Sequence, residues 1–151
     1  MTRSYIERAF PATSHYEVVA AMAEAADTLG TDYHVGVTLS VDSDVAGVGR
    51  PGVGGYLDSW NIEMLGTYNR AGVLNGERES AAVVTLAALY GFRGSSVCSV
   101  ADNVLTGATF AYNASHAAAI DVALQGFAIL NRMDQKRAAI GKRYWLPSMG
   151  L

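Results

Sequence analysis

Two carboxylates and a guanidinium stand next to one another near the middle of the chain, at Glu77, Arg78 and Glu79. A short apolar stretch, residues 71–74, precedes them, and residues 80–92 after them carry no charge. Carboxylates favour the N-terminus of a helix through the helix dipole. They are also suited to gripping hydroxyl groups, and ligands of open α/β sheets bind beyond the carboxyl ends of strands. Position alone leaves both interpretations open.

A second acid follows an apolar stretch in the same way. Asp102 and Asn103 come directly after residues 94–101, which are predicted to form a short buried strand. Both residue types are common in turns, which is the simpler interpretation. Two acidic strand ends in one small domain nevertheless favour a shared cleft, because the carboxyl ends of parallel strands meet at one edge of a sheet.

The glycine-rich pattern at residues 47–52 matches G-x-G-x-x-G, which in dinucleotide-binding proteins joins a strand directly to a helix. Here residues 41–46 separate it from the preceding predicted strand, and Pro51 disfavours a helix after it. We therefore interpret the match as accidental. The three histidines lack metal-ligand spacing and are predicted to be structural: His15, His34 and His116.

Composition indicates one globular domain and excludes several classes of protein. The chain has 151 residues, of which 50% are hydrophobic and 17% charged. A net charge of −3 disfavours nucleic acid or an anionic membrane as partner, and no apolar run is long enough for a membrane span. A single cysteine, Cys98, and an N-terminus without a signal-peptide pattern lead us to expect a cytoplasmic protein, in which Asn113-Ala114-Ser115 matches a glycosylation acceptor by chance.

Helices and strands are predicted to alternate along the chain. Apolar periodicity and end signals predict helices at residues 15–29, 62–69, 79–90 and 115–133. The first is expected to begin with a capping box of Ser14 and Glu17 and to stop at Gly30. Alternating or continuous apolar residues predict strands at residues 33–40, 72–75 and 94–101, and residues 42–57 are predicted to form a long loop.

This alternation predicts an α/β domain with a largely parallel sheet. The first strand is expected to bury one face, with Tyr33, Val35, Val37 and Leu39. The last helix is expected to turn inward Ile120, Leu124, Phe127 and either Ile129 or Leu130. Three strands make a narrow sheet with uncovered edges, which is typical of part of a larger α/β unit.

Residues 34–43 and 60–103 resemble the C-terminal half of the uridine phosphorylase-like nucleoside phosphorylases, and the resemblance covers most of residues 3–133. Its most specific part is Asn75, Glu77, Glu79 and Ser80 in front of an apolar helix. The resemblance implies the Rossmann-like nucleoside phosphorylase fold, in its C-terminal portion. It also implies that Glu79 holds the ribose hydroxyls and that Glu77 supports it.

Three further positions receive a role from the same resemblance. Arg50 corresponds to an arginine that contacts the base in uridine-specific members. Asp102 resembles the acid that protonates the base in purine-specific relatives, and is therefore the candidate catalytic residue. Arg78 stands between the two acids of the ribose pattern and is a candidate substrate-binding residue.

The sequence departs from the family at several site positions. Members usually have Met at the position of Arg78 and often an aromatic residue at the position of Gly76. Uridine-specific members have an aromatic residue where this chain has Asp44, Gln where it has Val48, and Arg where it has Val104. The resemblance therefore leaves the base open between uracil and a purine.

The activity implied is reversible phosphorolysis of a ribonucleoside, of the uridine type, to base and ribose 1-phosphate. Phosphate is a co-substrate, and neither organic cofactor nor metal is implied. The preceding half of family members, with a glycine-containing phosphate loop and arginines, has no match here. Three explanations stay open: the chain is a fragment, another chain completes it, or it is an inactive relative. The alternative functions are a non-catalytic nucleoside-binding or assembly module, a purine nucleoside phosphorylase and a hydrolytic nucleosidase.

Residues 1–133 are predicted to form the nucleoside phosphorylase-like domain, partial relative to the family, and residues 134–151 a C-terminal tail. The exposed apolar surface of an incomplete sheet predicts association with other chains. We expect a homo-oligomer or a complementing chain, small-molecule nucleoside and phosphate as ligands, and neither nucleic acid nor membrane as partner.

Overall fold

A computed structural model describes residues 2–108, 111 and 116–150. Its helices and strands alternate, which confirms the predicted α/β class. In chain order they are α1 (Tyr16–Thr28), β1 (Val37–Ser40), α2 (Ser59–Arg70), β2 (Val73–Glu77), α3 (Ser80–Leu89) and α4 (His116–Ala139). Short 3₁₀ turns occur at Thr2–Ser4, Ala46–Val48, Val53–Gly55 and Pro147–Met149. None of the helices in the described ranges is long and apolar enough to cross a membrane.

The first helix forms where it was predicted, but its cap is different. The N-cap is His15, whose imidazole Nδ1 accepts the backbone N–H of Glu17 at 3.3 Å. The predicted capping box of Ser14 and Glu17 is wrong, because the Glu17 side chain is drawn into the interior by two arginines instead. The predicted stop is confirmed: Gly30 adopts a φ of 64°, a left-handed conformation that favours glycine.

The sheet has two parallel strands, with Ser40 opposite Glu77 at its carboxyl end. Strand β1 is shorter than predicted, and Tyr33, Val35 and Val37 on its predicted buried face are exposed. The third predicted strand, residues 94–101, is wrong: this segment carries no strand assignment. A strand needs a neighbour for its backbone groups, and none of the described residues supplies one.

Helix α4 buries a different face from the one predicted. Ile120, Leu124 and Phe127 are exposed, whereas Ile129 and Leu130 are buried as expected. The helix is apolar on more than one side, so hydropathy alone does not select the packed face. It also continues past the predicted end at residue 133. Its predicted start at Ser115 and the Asn113-Ala114-Ser115 pattern lie outside the described residues.

The core is a helical pair, α1 packed against α4. Gly126 of α4 lets the helices approach closely, because a Cβ there would overlap the Met22 side chain and lie 3.4 Å from its Cα. Trp145, from the predicted tail, packs into the same cluster. The buried members of the cluster are Val18, Ala21, Ala25, Ala26, Val122, Ile129, Leu130, Met133 and Trp145.

One buried carboxylate ties the helical pair to the segments around it. Glu17 is 1% exposed and accepts hydrogen bonds from Arg93 at 2.7 Å, Arg137 at 3.1 Å and the backbone N–H of Trp145 at 3.0 Å. The two arginines also pair with Asp134 on α4. Glu17 therefore joins α1, α4, the segment after α3 and the C-terminal residues through a single side chain.

Burial by itself raises the pKa of Glu17. The Trp145 N–H and the charges of Arg93 and Arg137 outweigh burial, so the pKa lies below its ordinary value. A carboxylate with a depressed folded pKa stabilises the fold above its unfolded pKa. That stabilisation is lost as the pH falls through the folded value.

Replacing Glu17 by Gln is expected to lower the free energy of unfolding by about 3 kcal/mol at neutral pH, since it removes the buried anion that Arg93 and Arg137 share and leaves Asp134 as the carboxylate with which both still pair. Urea unfolding followed by circular dichroism measures this change. The difference from wild type should shrink as the pH falls from the pKa of an unfolded glutamate, about 4.3, through the lower pKa of folded Glu17.

Glu24→Gln is the matched control, because Glu24 lies exposed on the same helix. Its effect should stay within about 0.5 kcal/mol. Equal losses in the two variants, or a Glu17 effect that persists unchanged in acid, would contradict the role assigned to this carboxylate.

Candidate functional site

The junction between β2 and α3 is built around the Glu77 carboxylate. One of its oxygens accepts the backbone N–H groups of Glu79 and Ser80, both at 2.6 Å. The first N–H groups of a helix have no partner within the helix, and Glu77 satisfies two of them. Its side chain therefore fixes the first turn of α3 in place.

A residue from the neighbouring strand completes this cap. The Ser40 hydroxyl donates to the second oxygen of Glu77 and accepts the N–H of Ala81 at 2.9 Å. Burial by itself raises the pKa of Glu77. Hydrogen bonds from the Ser40 hydroxyl and from the N–H groups of Ser80 and Glu79 lower it by more than burial raises it, so the pKa lies below its ordinary value. Glu77 is thus held as an anion whose two oxygens are both occupied by protein donors.

Glu79 is positioned differently from Glu77, although only one residue separates them. It is the N-cap of α3 but makes no capping hydrogen bond, and its side chain is 70% exposed. Its nearest ionic partner is Arg78, with 3.6 Å between the arginine Nε and a carboxylate oxygen. The structure therefore presents Glu79 to solvent at the mouth of a fixed helix turn, where a hydroxylated ligand has access to it.

Arg78 and Arg50 each pair with an acid of the site. Arg78 pairs with Asp44, with 2.9 Å between Nε and Oδ1. Arg50 donates to the backbone carbonyl of Asp44 at 2.9 Å and forms an ion pair with Asp102. A continuous series of polar contacts thus runs from Glu79 through Arg78, Asp44 and Arg50 to Asp102.

Local geometry places Arg50 in this series. Gly49 precedes it with a φ of 74°, and a Cβ at that position would overlap the Leu65 side chain of α2. Glycine is therefore required on two counts. The glycines of residues 47–52 serve turns, and α2 begins only at residue 59, which confirms that they do not open a helix as a dinucleotide site requires.

Asp102 occupies an irregular segment and accepts from Arg50. In this state the carboxylate is the acceptor of an ion pair. Handing a proton to a leaving base requires that the pair first open and the carboxyl group be protonated. In the structure Asp102 is therefore the ion-pair partner of Arg50, and this arrangement is not that of a proton donor.

Two pairs of departures from the family pattern are neighbours in space. Arg78 and Asp44, which stand where Met and an aromatic residue are usual, form an ion pair. Val48 lies 3.5 Å from the position that a Cβ on Gly76 would occupy. The four positions thus form two neighbouring pairs in this chain, one ionic and one in which Val48 lies beside Gly76.

The structure brings the five sequence-predicted site residues into one region, and the sequence missed a sixth, Ser40. Only its place at the end of a predicted strand pointed to it, and the strand register was needed to set it opposite Glu77. Within the described residues no group of three His, Cys, Asp or Glu side chains is arranged to hold a metal ion. His116 is hydrogen-bonded to Ser99, with 2.7 Å between Nδ1 and the hydroxyl oxygen.

Comparison with known proteins bears on the same residues. The model of the phosphorylase superfamily matches residues 4–133. The uridine phosphorylase of Thermococcus kodakarensis is 38% identical over 148 residues, which cover 98% of this chain and 53% of that protein. The chain thus spans about half the length of this relative.

Two shorter matches name different bases. The uridine phosphorylase of Escherichia coli is 35% identical over 62% of this chain and 38% of that protein. A DeoD-type purine nucleoside phosphorylase of Roseobacter denitrificans is 37% identical over 65% of this chain and 36% of that protein. With a family match over most of its length and this site at the start of α3, the chain belongs to the phosphorylase superfamily.

Proposed function

We propose that this chain forms the nucleoside-binding part of a nucleoside phosphorylase, in which Glu79 holds the ribose. The observation that carries the proposal is the first turn of α3, which Glu77 and Ser40 fix while the Glu79 carboxylate stays exposed. The names of its relatives, uridine and purine nucleoside phosphorylases, support the same chemistry.

A fixed carboxylate suits the reaction. Phosphorolysis breaks the bond between ribose and base through a sugar that develops positive charge. A carboxylate that accepts from both ribose hydroxyls orients the sugar, and its hold strengthens as that charge develops. Because Glu77 is occupied by protein donors, we assign it to positioning Glu79 rather than to direct contact with substrate.

For the base, we propose a pyrimidine of the uridine type. Arg50 is the donor suited to a uracil oxygen, and its ion pair with Asp102 would orient the guanidinium. A purine is the alternative, with Asp102 as proton donor once Arg50 has released it. The uridine phosphorylase relative that spans nearly the whole chain favours the pyrimidine.

Phosphate requires donors beyond those of this site. Arg50 pairs with Asp102 and Arg78 with Asp44, so both are already neutralised. We therefore propose that the chain alone performs little phosphorolysis and that donors for phosphate come from elsewhere in the assembly. Loss of one fixed donor to a developing anion typically costs about a hundredfold or more in rate.

A non-catalytic nucleoside-binding or assembly module is the second candidate. The ion pair of Arg78 and Asp44 favours it, because charge replaces the apolar packing usual against the sugar and base. A hydrolytic nucleosidase differs again in using water instead of phosphate. In an assembly that supplies the donors for phosphate, base release that requires phosphate supports the phosphorylase, release without phosphate supports the nucleosidase, and binding without release supports the module.

Glu79→Gln is expected to weaken uridine binding about tenfold or more while leaving the fold intact. The amide keeps the shape of the side chain, but it cannot accept from two hydroxyls with full charge, and charge-assisted hydrogen bonds are about twice as strong as neutral ones. Calorimetric titration with uridine measures the affinity, and base release is followed wherever turnover is observed.

Glu63→Gln serves as control, because Glu63 is exposed on the neighbouring helix α2 and has no part in the site. It should leave affinity unchanged. If Glu79→Gln binds uridine as well as wild type does, Glu79 is a helix-start residue and the proposal fails.

Ser40→Ala is expected to loosen the first turn of α3. It removes the donor to Glu77 and the acceptor for Ala81, so the backbone N–H groups of residues 79–81 should exchange with solvent about fivefold faster, for a loss of about 1 kcal/mol. Hydrogen exchange read by NMR resolves these positions.

Ser43→Ala removes a hydroxyl that also accepts a backbone N–H, from Val45 at 3.2 Å, but lies outside the cap. Exchange at residues 79–81 should not change in that variant. Unaltered exchange in Ser40→Ala would show that Ser40 has no part in positioning Glu79.

A further inference from the structure

We propose that Asp44 is a positioning residue of the nucleoside site. Its carboxylate holds the Arg78 guanidinium away from Glu79, and this keeps the Glu79 carboxylate available to the ribose hydroxyls. The inference rests on the proposed function in that Glu79 is taken as the ribose ligand. It adds a residue that itself has no contact with the sugar and acts through Arg78.

Arg78 has a fixed backbone and a choice of partner for its side chain. Strand β2 ends at Glu77, and the backbone N–H of Glu79 donates to the Glu77 carboxylate, so the chain is held on both sides of Arg78. The Arg78 Nε lies 2.9 Å from Oδ1 of Asp44 and 3.6 Å from Oε1 of Glu79. Attraction between opposite charges falls with distance, so the closer contact with Asp44 is the stronger one.

Asp44 is placed by the loop that carries it. Its backbone carbonyl accepts from the Arg50 side chain at 2.9 Å, and the N–H of the next residue, Val45, donates to the Ser43 hydroxyl at 3.2 Å. The Val45 carbonyl accepts the backbone N–H of Arg50, also at 2.9 Å. These contacts fix the backbone around Asp44 and leave its carboxylate to pair with Arg78.

Without the Asp44 charge, the guanidinium has Glu79 as its remaining ionic partner in the described part of the chain. Glu77 is no alternative, because protein donors already occupy both of its oxygens. The Arg78 and Glu79 side chains are 48% and 70% exposed, so each has room to turn toward the other. A guanidinium fork binds both oxygens of a carboxylate. Arg78 and the ribose therefore compete for Glu79, and Asp44 shifts that competition in favour of the ribose.

The expected effect is modest because the groups are exposed. Ion pairs between exposed side chains contribute little, so the bias from Asp44 corresponds to about threefold in affinity for a ribonucleoside. This is less than the loss of about tenfold or more expected for Glu79→Gln. In the absence of Asp44 the Glu79 carboxylate is occupied for part of the time, whereas in Glu79→Gln it is removed.

Asp44→Asn is accordingly expected to weaken uridine binding about threefold, measured by calorimetric titration. Asp44→Glu keeps the charge and should restore the affinity. In an Arg78→Met background, Asp44→Asn should have no further effect, since the competing guanidinium is absent. The threefold difference should also narrow as sodium chloride is raised to about 1 M, because salt screens exposed charges.

Asp27→Asn is the matched control, because it removes the same charge from an exposed position on α1, outside the site. It should leave the affinity unchanged. An equal loss from Asp44→Asn with and without Arg78 would overturn the proposal, as would an Asp44→Glu chain that binds no better than Asp44→Asn.

A second measurement requires no ligand. The ¹H–¹⁵N signal of the Arg78 Nε–H group responds to the anion beside it. Glu79→Gln should move this signal little in the wild-type chain and several times further in the Asp44→Asn chain, where Arg78 has turned to Glu79. Equal shifts in the two backgrounds would overturn the proposal whether or not uridine binds. A wild-type chain that shows the expected signals but fails to bind uridine would instead contradict the assignment of Glu79 to the ribose.

Discussion

The geometry of the site depends on one carboxylate, that of Glu77, which accepts from Ser40 on one strand and from the first turn of the following helix. This contact exists only because β1 and β2 pair in a parallel register that sets Ser40 opposite Glu77. The capping of α3 and the position of Glu79 therefore both depend on the pairing of the two strands. Glu77 fixes the backbone, and the neighbouring Glu79 carboxylate is exposed beside Arg78.

A second buried carboxylate organises the rest of the molecule on the same principle. Glu17 accepts from Arg93, Arg137 and the Trp145 N–H, and so ties the helical pair to the segment after α3 and to the C-terminal residues. The sheet and the helical pair thus each contain an anchoring carboxylate, and in the helical pair it lies beside the apolar cluster.

The features predictable from sequence were the local ones. Glu77 and Glu79 were singled out by their place at a predicted strand–helix junction, while their roles came from the family resemblance, and Gly30 was predicted because a helix end has a local signature. Features that depend on distant partners were not. Ser40 required the strand register, and residues 94–101 required a neighbouring strand. Helix α4 is apolar on more than one side, and its packed face includes Val122 instead of the predicted Leu124. The capping box of Ser14 and Glu17 does not form, because the Glu17 side chain pairs with Arg93 and Arg137, which are distant in sequence.

Departures from the family pattern become intelligible once their contacts are known. Arg78 and Asp44 form an ion pair, and Val48 lies beside Gly76, so the four positions that differ from the family pattern are neighbours in two pairs.

The most direct test is an NMR titration of the ¹⁵N-labelled chain with uridine and, separately, with 2′,3′-dideoxyuridine at millimolar concentrations. The account predicts that uridine shifts the backbone amide signals of residues 78–81 and that the dideoxy compound leaves these signals unshifted, because Glu79 is expected to accept hydrogen bonds from the two ribose hydroxyls. Identical shifts with both compounds, or uridine-induced shifts that avoid these residues altogether, would contradict it.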